Sequence, residues 1–203
     1  MSRRGKEATE MVRIDKRNMF VGFYDDTLVG IGKVRIAFVK YDDNNVRTGY
    51  TVHYLDEADA LLLADCIWNG DIRKMAAHYN KKGQKFKSLL PFVAMGGRKG
   101  GHESGADLAR KFDIFAGNPG SYLIQGEEGK GKQNAQGLFV PDYGSKPDQR
   151  VGVYVTEAEL KKIASVLRSK ISAKHAAEYV YRYSDELKEQ AAEERAEREK
   201  HRN

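Results

Sequence analysis

Tyr54-Leu55-Asp56-Glu57-Ala58-Asp59, running on to Ala64-Asp65-Cys66-Ile67, is answered one hundred positions later by Tyr154-Val155-Thr156-Glu157-Ala158-Glu159, running on to Ala164-Ser165-Val166-Leu167. Tyr, Glu and two Ala recur identically. Leu55/Val155, Asp59/Glu159, Leu63/Ile163, Cys66/Val166 and Ile67/Leu167 recur in kind, with no gap. An ungapped match of this sort reads as an internal duplication, and a duplication sets the architecture before any single residue does. In each copy a strand-like run meets Asp56 or Thr156, residue types that cap helix N-termini, with a carboxylate three positions later. Thr156 and Glu159 form a full capping box, in which the hydroxyl accepts from the Glu159 N–H and the carboxylate accepts from the Thr156 N–H. Asp56 with Asp59 is a shorter, weaker version. Leu55 and Val155 precede the caps and are placed to staple onto Ala60 and Leu160. Each half is expected to end as strand, tight turn, helix.

Residues 18–24, 29–41 and 46–55 read as strands, the last two joined by Asp42-Asp43-Asn44-Asn45. In the middle strand the period of two sends Val34, Ile36 and Phe38 to one face and Lys33, Arg35, Ala37 and Tyr41 to the other. The first helix spans 57 to about 68, with Leu61, Leu62, Ala64 and Ile67 on its apolar side, and stops near Asn69-Gly70. A short helix over 71–78, a strand over 88–95 and a glycine-rich loop over 96–101 follow. The later strands, 111–116, 121–126, 136–140 and 150–155, lead to a helix with Leu160, Ile163, Leu167 and Ile171 at helical spacing, continuing through Val180 and Tyr183. Ser184 reads as the N-cap of a separate charged helix. The division is a flexible basic arm at 1–17, a first strand–helix module at 18–70, a basic connector at 71–105, a second module at 106–183 and a charged helical or disordered tail at 184–203.

The chain has 203 residues and a formal net charge of +6. Such a basic balance favours polyanion partners. From 71 to 105 eight Lys/Arg stand against two carboxylates, whereas 184–203 holds seven carboxylates against five Lys/Arg. The single Cys66 can form no internal disulfide and reads as a core thiol in a reducing compartment. No apolar run approaches the roughly 18 residues of a membrane span, and the polar start lacks a secretory segment, so a soluble, cytoplasmic protein is expected. Gly126-Glu127-Glu128-Gly129-Lys130-Gly131-Lys132-Gln133 approaches a phosphate-binding loop but puts Gln133 where a magnesium-ligating Ser/Thr belongs. The five His residues have no metal-ligand spacing, and no nucleophile, base and orienting group assemble. No enzyme activity, cofactor or metal is expected.

A module of about four antiparallel strands followed by one helix, present twice and rich in basic and aromatic strand residues, resembles the Whirly and Pur-alpha class of single-stranded nucleic-acid-binding proteins. The resemblance is one of topology, covers roughly residues 18–175, and is carried by Tyr54 to Ala64 and Tyr154 to Ala164. It implies an α+β fold of two tandem antiparallel ββββα modules forming an intramolecular pseudo-dimer, followed by the charged C-terminal helix. It also implies binding of single-stranded DNA or RNA across the sheets, without a catalytic centre.

The residue chemistry points the same way, because single-strand binders need cations that track phosphates and aromatic faces on which bases stack, the latter worth about 1–3 kcal/mol per base. The candidates are Lys33, Arg35, Tyr41, Arg47 and Tyr50 in the first half, and Lys85, Phe86, Lys87, Arg98 and Lys99 in the connector. In the second half they are Lys111, Phe112, Tyr122, Lys130, Lys132, Phe139 and Arg150. Tyr54 and Tyr154 alternate away from Leu55 and Val155 and fit the open sheet face. The expectation is weakly sequence-selective binding of single-stranded DNA, with the tail left for self-association or a protein partner. The alternatives are an RNA-binding or transcription-regulating protein on the same fold and a scaffold that binds no nucleic acid.

Overall fold

Four strands, β1 (Glu10–Lys16), β2 (Met19–Tyr24), β3 (Lys33–Tyr41) and β4 (Arg47–Asp56), pair antiparallel in sequence order. A single helical turn, α1 (Leu28–Ile31), interrupts them, and β4 runs directly into α2 (Glu57–Trp68), which is followed by α3 (Asp71–Lys81). The second sheet holds β5 (Met95–Arg98), β6 (Asp107–Ala116), β7 (Ser121–Gln133), β8 (Phe139–Pro141) and β9 (Gln149–Thr156), and β9 runs directly into α4 (Glu157–Lys200). Its order is β5-β6-β7-β8, with β9 also on β7. Partners of β9 on β7 run from Ser121 to Glu128, and partners of β8 from Gly131 to Gln133. This computed structural model describes residues 9–84, 86–142, 144 and 146–200. The fold is α+β, with two antiparallel sheets and a C-terminal helix. Two compact units divide the chain, the first running through Arg168 and the second beginning at Ser169.

With β8 set aside, β5-β6-β7-β9-α4 has the same succession as β1-β2-β3-β4-α2. The likeness extends to single bonds. The Glu57 N–H donates to the Gly32 carbonyl at 3.0 Å, and the Glu157 N–H donates to the Gly120 carbonyl at 3.2 Å. Both glycines sit in the left-handed region, at φ 65° and 78°, immediately before β3 and β7. That conformation is one that residues with a Cβ adopt at a cost. Over 51–67 and 151–167 the burial of corresponding residues agrees everywhere except 52/152 and 61/161. The capping box forms as read: the Glu159 N–H donates to Thr156 Oγ1 at 3.2 Å, and the Thr156 N–H donates to Glu159 at 2.8 Å. Asp56 makes no side-chain cap bond and pairs instead with Lys33 at 2.8 Å.

The core lies where the two sheets meet. Register places Val21, Phe23, Val34, Ile36, Phe38, Thr51, His53 and Leu55 on one face of the first sheet, all buried. Phe112, Ile114, Ile124, Val151, Val153 and Val155 form the matching face of the second. Phe112 joins them, with its ring 5.7 Å from His53 and 6.3 Å from Phe38. At Gly126, opposite Phe112, the sheets come close, since a Cβ there would run into Thr51 Oγ1 and fall 2.6 Å from the Phe38 ring. The helices add Ala60, Leu63, Ala64 and Ile67 from α2 and Leu160, Ile163, Ala164 and Leu167 from α4. Arg168 of α4 pairs with Asp65 of α2 at 3.4 Å.

Several expectations are corrected. Residues 10–16 are a strand and not part of a flexible arm, because Val12 and Ile14 alternate into the core between Arg13 and Asp15. β3 begins at Lys33, since 28–31 close a helical turn ended by Gly32. On α2 the buried stripe is Ala60, Leu63, Ala64 and Ile67, while Leu61 is half-buried and Leu62 exposed. Cys66 is likewise half-buried and not a full core residue, and burial together with Asp71 and Asp65 raises its thiol pKa. Residues 88–94 form no continuous strand and follow β6 through a bridge from Ser88 to Phe115 and single backbone bonds at Leu89 and Ala94, and the strand β5 begins at Met95 and runs into the expected glycine loop. β7 continues through Gly129-Lys130-Gly131-Lys132, where Gly131 passes against Ala109. α4 runs unbroken through Ser184, there being no Gly or Pro between 157 and 200 to stop it. The expected arm at 1–8 and tail end at 201–203 lie outside the described residues.

Candidate nucleic-acid interface

The outer face of the first sheet is built by the alternate residues left over from the core. Lys33, Arg35, Ala37, Val39 and Tyr41 of β3 lie opposite Asp56, Tyr54, Val52, Tyr50 and Arg47 of β4, with Phe20 and Tyr24 of β2 alongside. Phe20, Ala37, Val39 and Val52 form a buried apolar floor. Tyr50 and Tyr54 stand on it 39% and 38% exposed, enough ring surface for a base to stack. Tyr24 lies flat across Gly22, where a Cβ would fall 2.7 Å from its hydroxyl oxygen. Three guanidinium groups cover rings on this face: Arg13 at 3.6 Å over Phe20, Arg35 at 4.1 Å over Tyr24 and Arg47 at 5.0 Å over Tyr50. Such cation–π contacts fix ring orientation while leaving N–H donors for an incoming anion.

Most of these cations already have carboxylates. Arg35 donates to both oxygens of Asp26 at 2.9 and 3.0 Å, Lys33 pairs with Asp56, and Arg13 pairs with Asp15 at 2.6 Å. Tyr24 donates to Glu10 at 3.4 Å, and burial first, then Glu10, raises its phenol pKa.

The outer face of the second sheet has a charged half and an aromatic half. Lys111 pairs with Asp113 at 2.6 Å, and Arg150 with Glu127 across the ladder at 2.6 Å. Phe115, Leu123 and Tyr154 continue that face and, with Phe86, line an open cleft of about 520 Å³. Asn80, Asn118 and Ser121 supply polar groups at its wall, and among the described residues none that lines it is charged. Phe86 meets Phe115 edge to face, centroids 6.1 Å apart. Tyr154, 58% exposed, holds the place on this sheet that Tyr54 holds on the first.

Not all sequence candidates reach these faces. Phe112 is 1% and Tyr122 3% exposed, both turned toward the core, so neither presents a ring to a base. The sign was in the strands themselves: Tyr122 shares parity with Ile124, and Phe112 with Ile114. Burial, followed by the charge of Glu157, raises the Tyr122 phenol pKa. Tyr41 is half-buried, 6.3 Å from Phe20, and Phe139 is half-buried where Gly97 lets β8 come close to β5. Phe86, Lys87, Arg98, Lys99 and Lys130 are exposed, and Lys132 pairs with Asp142 at 2.7 Å. Lys85 lies outside the described residues. Sequence reasoning missed Arg13, Tyr24, Phe115 and Leu123, whose membership shows only once the strands are paired in register.

One further polar chain lies off these faces. His102 Nε2 bonds Asp148, and its Nδ1 meets both the hydroxyl and the backbone N–H of Ser104, at 2.7 and 3.1 Å. The backbone N–H occupies the Nδ1 lone pair that a general base would use, so the group serves to clip the 100–107 loop to the start of β9. Among the described residues no His, Cys, Asp and Glu are grouped to hold a metal ion, and no helix is long and apolar enough to cross a membrane. The chain matches no protein-family model, no curated protein and no solved structure.

Proposed function

We propose that this chain binds single-stranded nucleic acid, DNA in the first instance, along the outer faces of its two sheets and without catalysis. The observation that carries the reading is the outer face of β1–β4: exposed Tyr50 and Tyr54 on an apolar floor, flanked by ring-stacked Arg35 and Arg47. Rings supply sequence-tolerant stacking and guanidinium groups supply phosphate contacts, the two requirements of single-strand binding. The cleft of Phe86, Phe115, Leu123 and Tyr154 takes an unpaired base on the second sheet, with Asn80, Asn118 and Ser121 at its polar edge. The repeated strand–helix joint and the Arg168–Asp65 pair between α4 and α2 support an arrangement of the two halves as a pseudo-dimer of the Whirly or Pur-alpha kind. On this reading the protein handles DNA in replication, recombination or mobile-element transfer, in the cytoplasm. RNA binding on the same faces is the nearest variant.

The test is fluorescence anisotropy with labelled oligo-dT, matched duplex and single-stranded RNA at several salt concentrations. Binding that prefers oligo-dT over duplex tenfold or more, about 1.4 kcal/mol, supports the reading, and preference for RNA turns it to the variant. One observation favours a different class, a protein-binding scaffold. Lys33, Arg35, Lys111, Lys132 and Arg150 are all engaged by carboxylates, and the cleft is uncharged. Absence of binding, or equal salt-driven binding to all three probes, selects it.

A further inference from the structure

From Ser169 onward α4 carries an apolar stripe in the open. Val180, Tyr183 and Leu187 are 64%, 54% and 48% exposed, and with Ala173 and Ala176 they recur at the alternating three- and four-residue spacing of a coiled-coil seam. Tyr179 stacks on Tyr183, planes 5° apart, and stiffens the ledge beside the seam. Ala, Glu, Lys and Arg give this segment high helix propensity by themselves, so the helix does not need the apolar stripe in order to form, and the stripe is left free for a partner. Charge is divided along the same segment. Residues 169–182 hold three Lys/Arg against one carboxylate, and residues 183–200 hold seven carboxylates against four Lys/Arg.

We propose that this segment pairs with the same segment of a second copy, in antiparallel orientation, about a two-fold axis between Val180 and Tyr183. Parallel pairing would lay the acid-rich ends on one another, whereas antiparallel pairing lays each on the basic beginning of its partner. In antiparallel seams the two kinds of apolar position face each other, so Val180 of one copy meets Tyr183 of the other and Ala176 meets Leu187. Small against large fills the seam at each layer. Lys170 and Lys174 then lie beside the stretch that carries Glu189 and Glu193 of the second copy. The inference does not rest on nucleic-acid binding.

Sedimentation of the full chain at micromolar concentration is expected to give the dimer mass, and Leu187→Glu to give the monomer mass while the urea midpoint of the sheet unit stays put. Orientation is read in a Cys66→Ser background by oxidation. Ala173→Cys and Gln190→Cys variants are expected to cross-link when mixed and not when alone. A monomeric wild type, a dimer that survives Leu187→Glu, or Ala173→Cys linking to itself would each overturn the proposal.

Discussion

His53 lies against Phe112 with ring centroids 5.7 Å apart and planes 25° from parallel, so an imidazole of the first sheet closes onto an aromatic ring of the second. His53 is 3% exposed, and its Nδ1 has no hydrogen-bond partner. Burial first, then the charges of Arg110 and Lys33, lowers its pKa to about 4, with Asp56 opposing. The neutral ring is thus part of the core. Because the folded pKa is below the unfolded value, the unfolded chain binds the extra proton. The stability contributed is present above about pH 6.5 and is lost as pH falls toward 4. Urea unfolding at pH 7 and pH 5 is expected to differ by about 2 kcal/mol from this group. His53→Phe is expected to remove that part of the difference and to leave stability at pH 7 equal or higher, since an unpartnered polar atom is replaced by an apolar one.

Gly126 sets how closely the sheets approach. A methyl group there meets both Thr51 Oγ1 and the Phe38 ring, two fully buried side chains. Gly126→Ala is expected to lower stability by about 1–3 kcal/mol, the usual range for overpacking. Phe38→Leu in the same chain is expected to recover part of the loss, as measured by thermal or urea unfolding.

The two helix starts are equivalent in place but not in bonding, and they should respond differently. Thr156→Ala removes a formed cap and is expected to cost about 1 kcal/mol, whereas Asp56→Ala removes an exposed ion pair with Lys33 and is expected to cost less. Glu159 joins the cap to β1, accepting from Lys16 at 2.7 Å. Burial works against its charge, but the Lys16 and Thr156 bonds win and hold its carboxyl pKa below the ordinary value. Its contribution is therefore present at neutral pH and lost in acid. Comparing Glu159→Gln with wild type by urea unfolding at pH 7 and at pH 3 checks the sign: the variant is expected to be weaker at pH 7 and to approach wild type at pH 3.

What was legible in the sequence is what local chemistry decides. The Thr156–Glu159 cap, the turn into α2 and the alternation of Val34, Ile36 and Phe38 are written within a few residues of where they act, and α2 runs over the residues expected, whereas the cap read at Asp56 gives way to its pairing with Lys33. β1 was not legible because its outward residues, Arg13 and Asp15, resemble an ordinary charged arm until Phe20 and Val21 of β2 lie beside them. β5 was hidden by Gly96 and Gly97, which favour loops. Gly97 is needed because a Cβ there would run into the Leu108 carbonyl of β6 and fall 2.7 Å from the Cβ of Phe139. Site residues were legible as types but not as faces. Arg35 looked like a bare cation, and only the fold brings Asp26 and Tyr24 to it. Tyr122 and Tyr154 look alike in sequence, yet one is buried on the core face of β7 beside Ile124 and Val155 while the other opens onto the cleft.

That last contrast separates a binding role from a packing role. If bases stack on the open rings, Tyr54→Ala and Tyr154→Ala weaken oligo-dT binding roughly tenfold, within the range of about 1–3 kcal/mol for a stacked base, and leave the salt slope unchanged. Arg47→Ala and Lys87→Ala lower the slope by about 0.7 for each phosphate no longer neutralised, because fewer counterions are released on binding. Tyr122→Ala, by contrast, opens a core cavity and lowers the urea midpoint, with no effect on affinity while the protein remains folded. Anisotropy titrations at four salt concentrations beside urea unfolding of the same variants read both quantities. If Tyr54→Ala and Tyr154→Ala bind as wild type does while Arg47→Ala still loses slope, phosphate pairing alone holds the strand and the rings serve the fold.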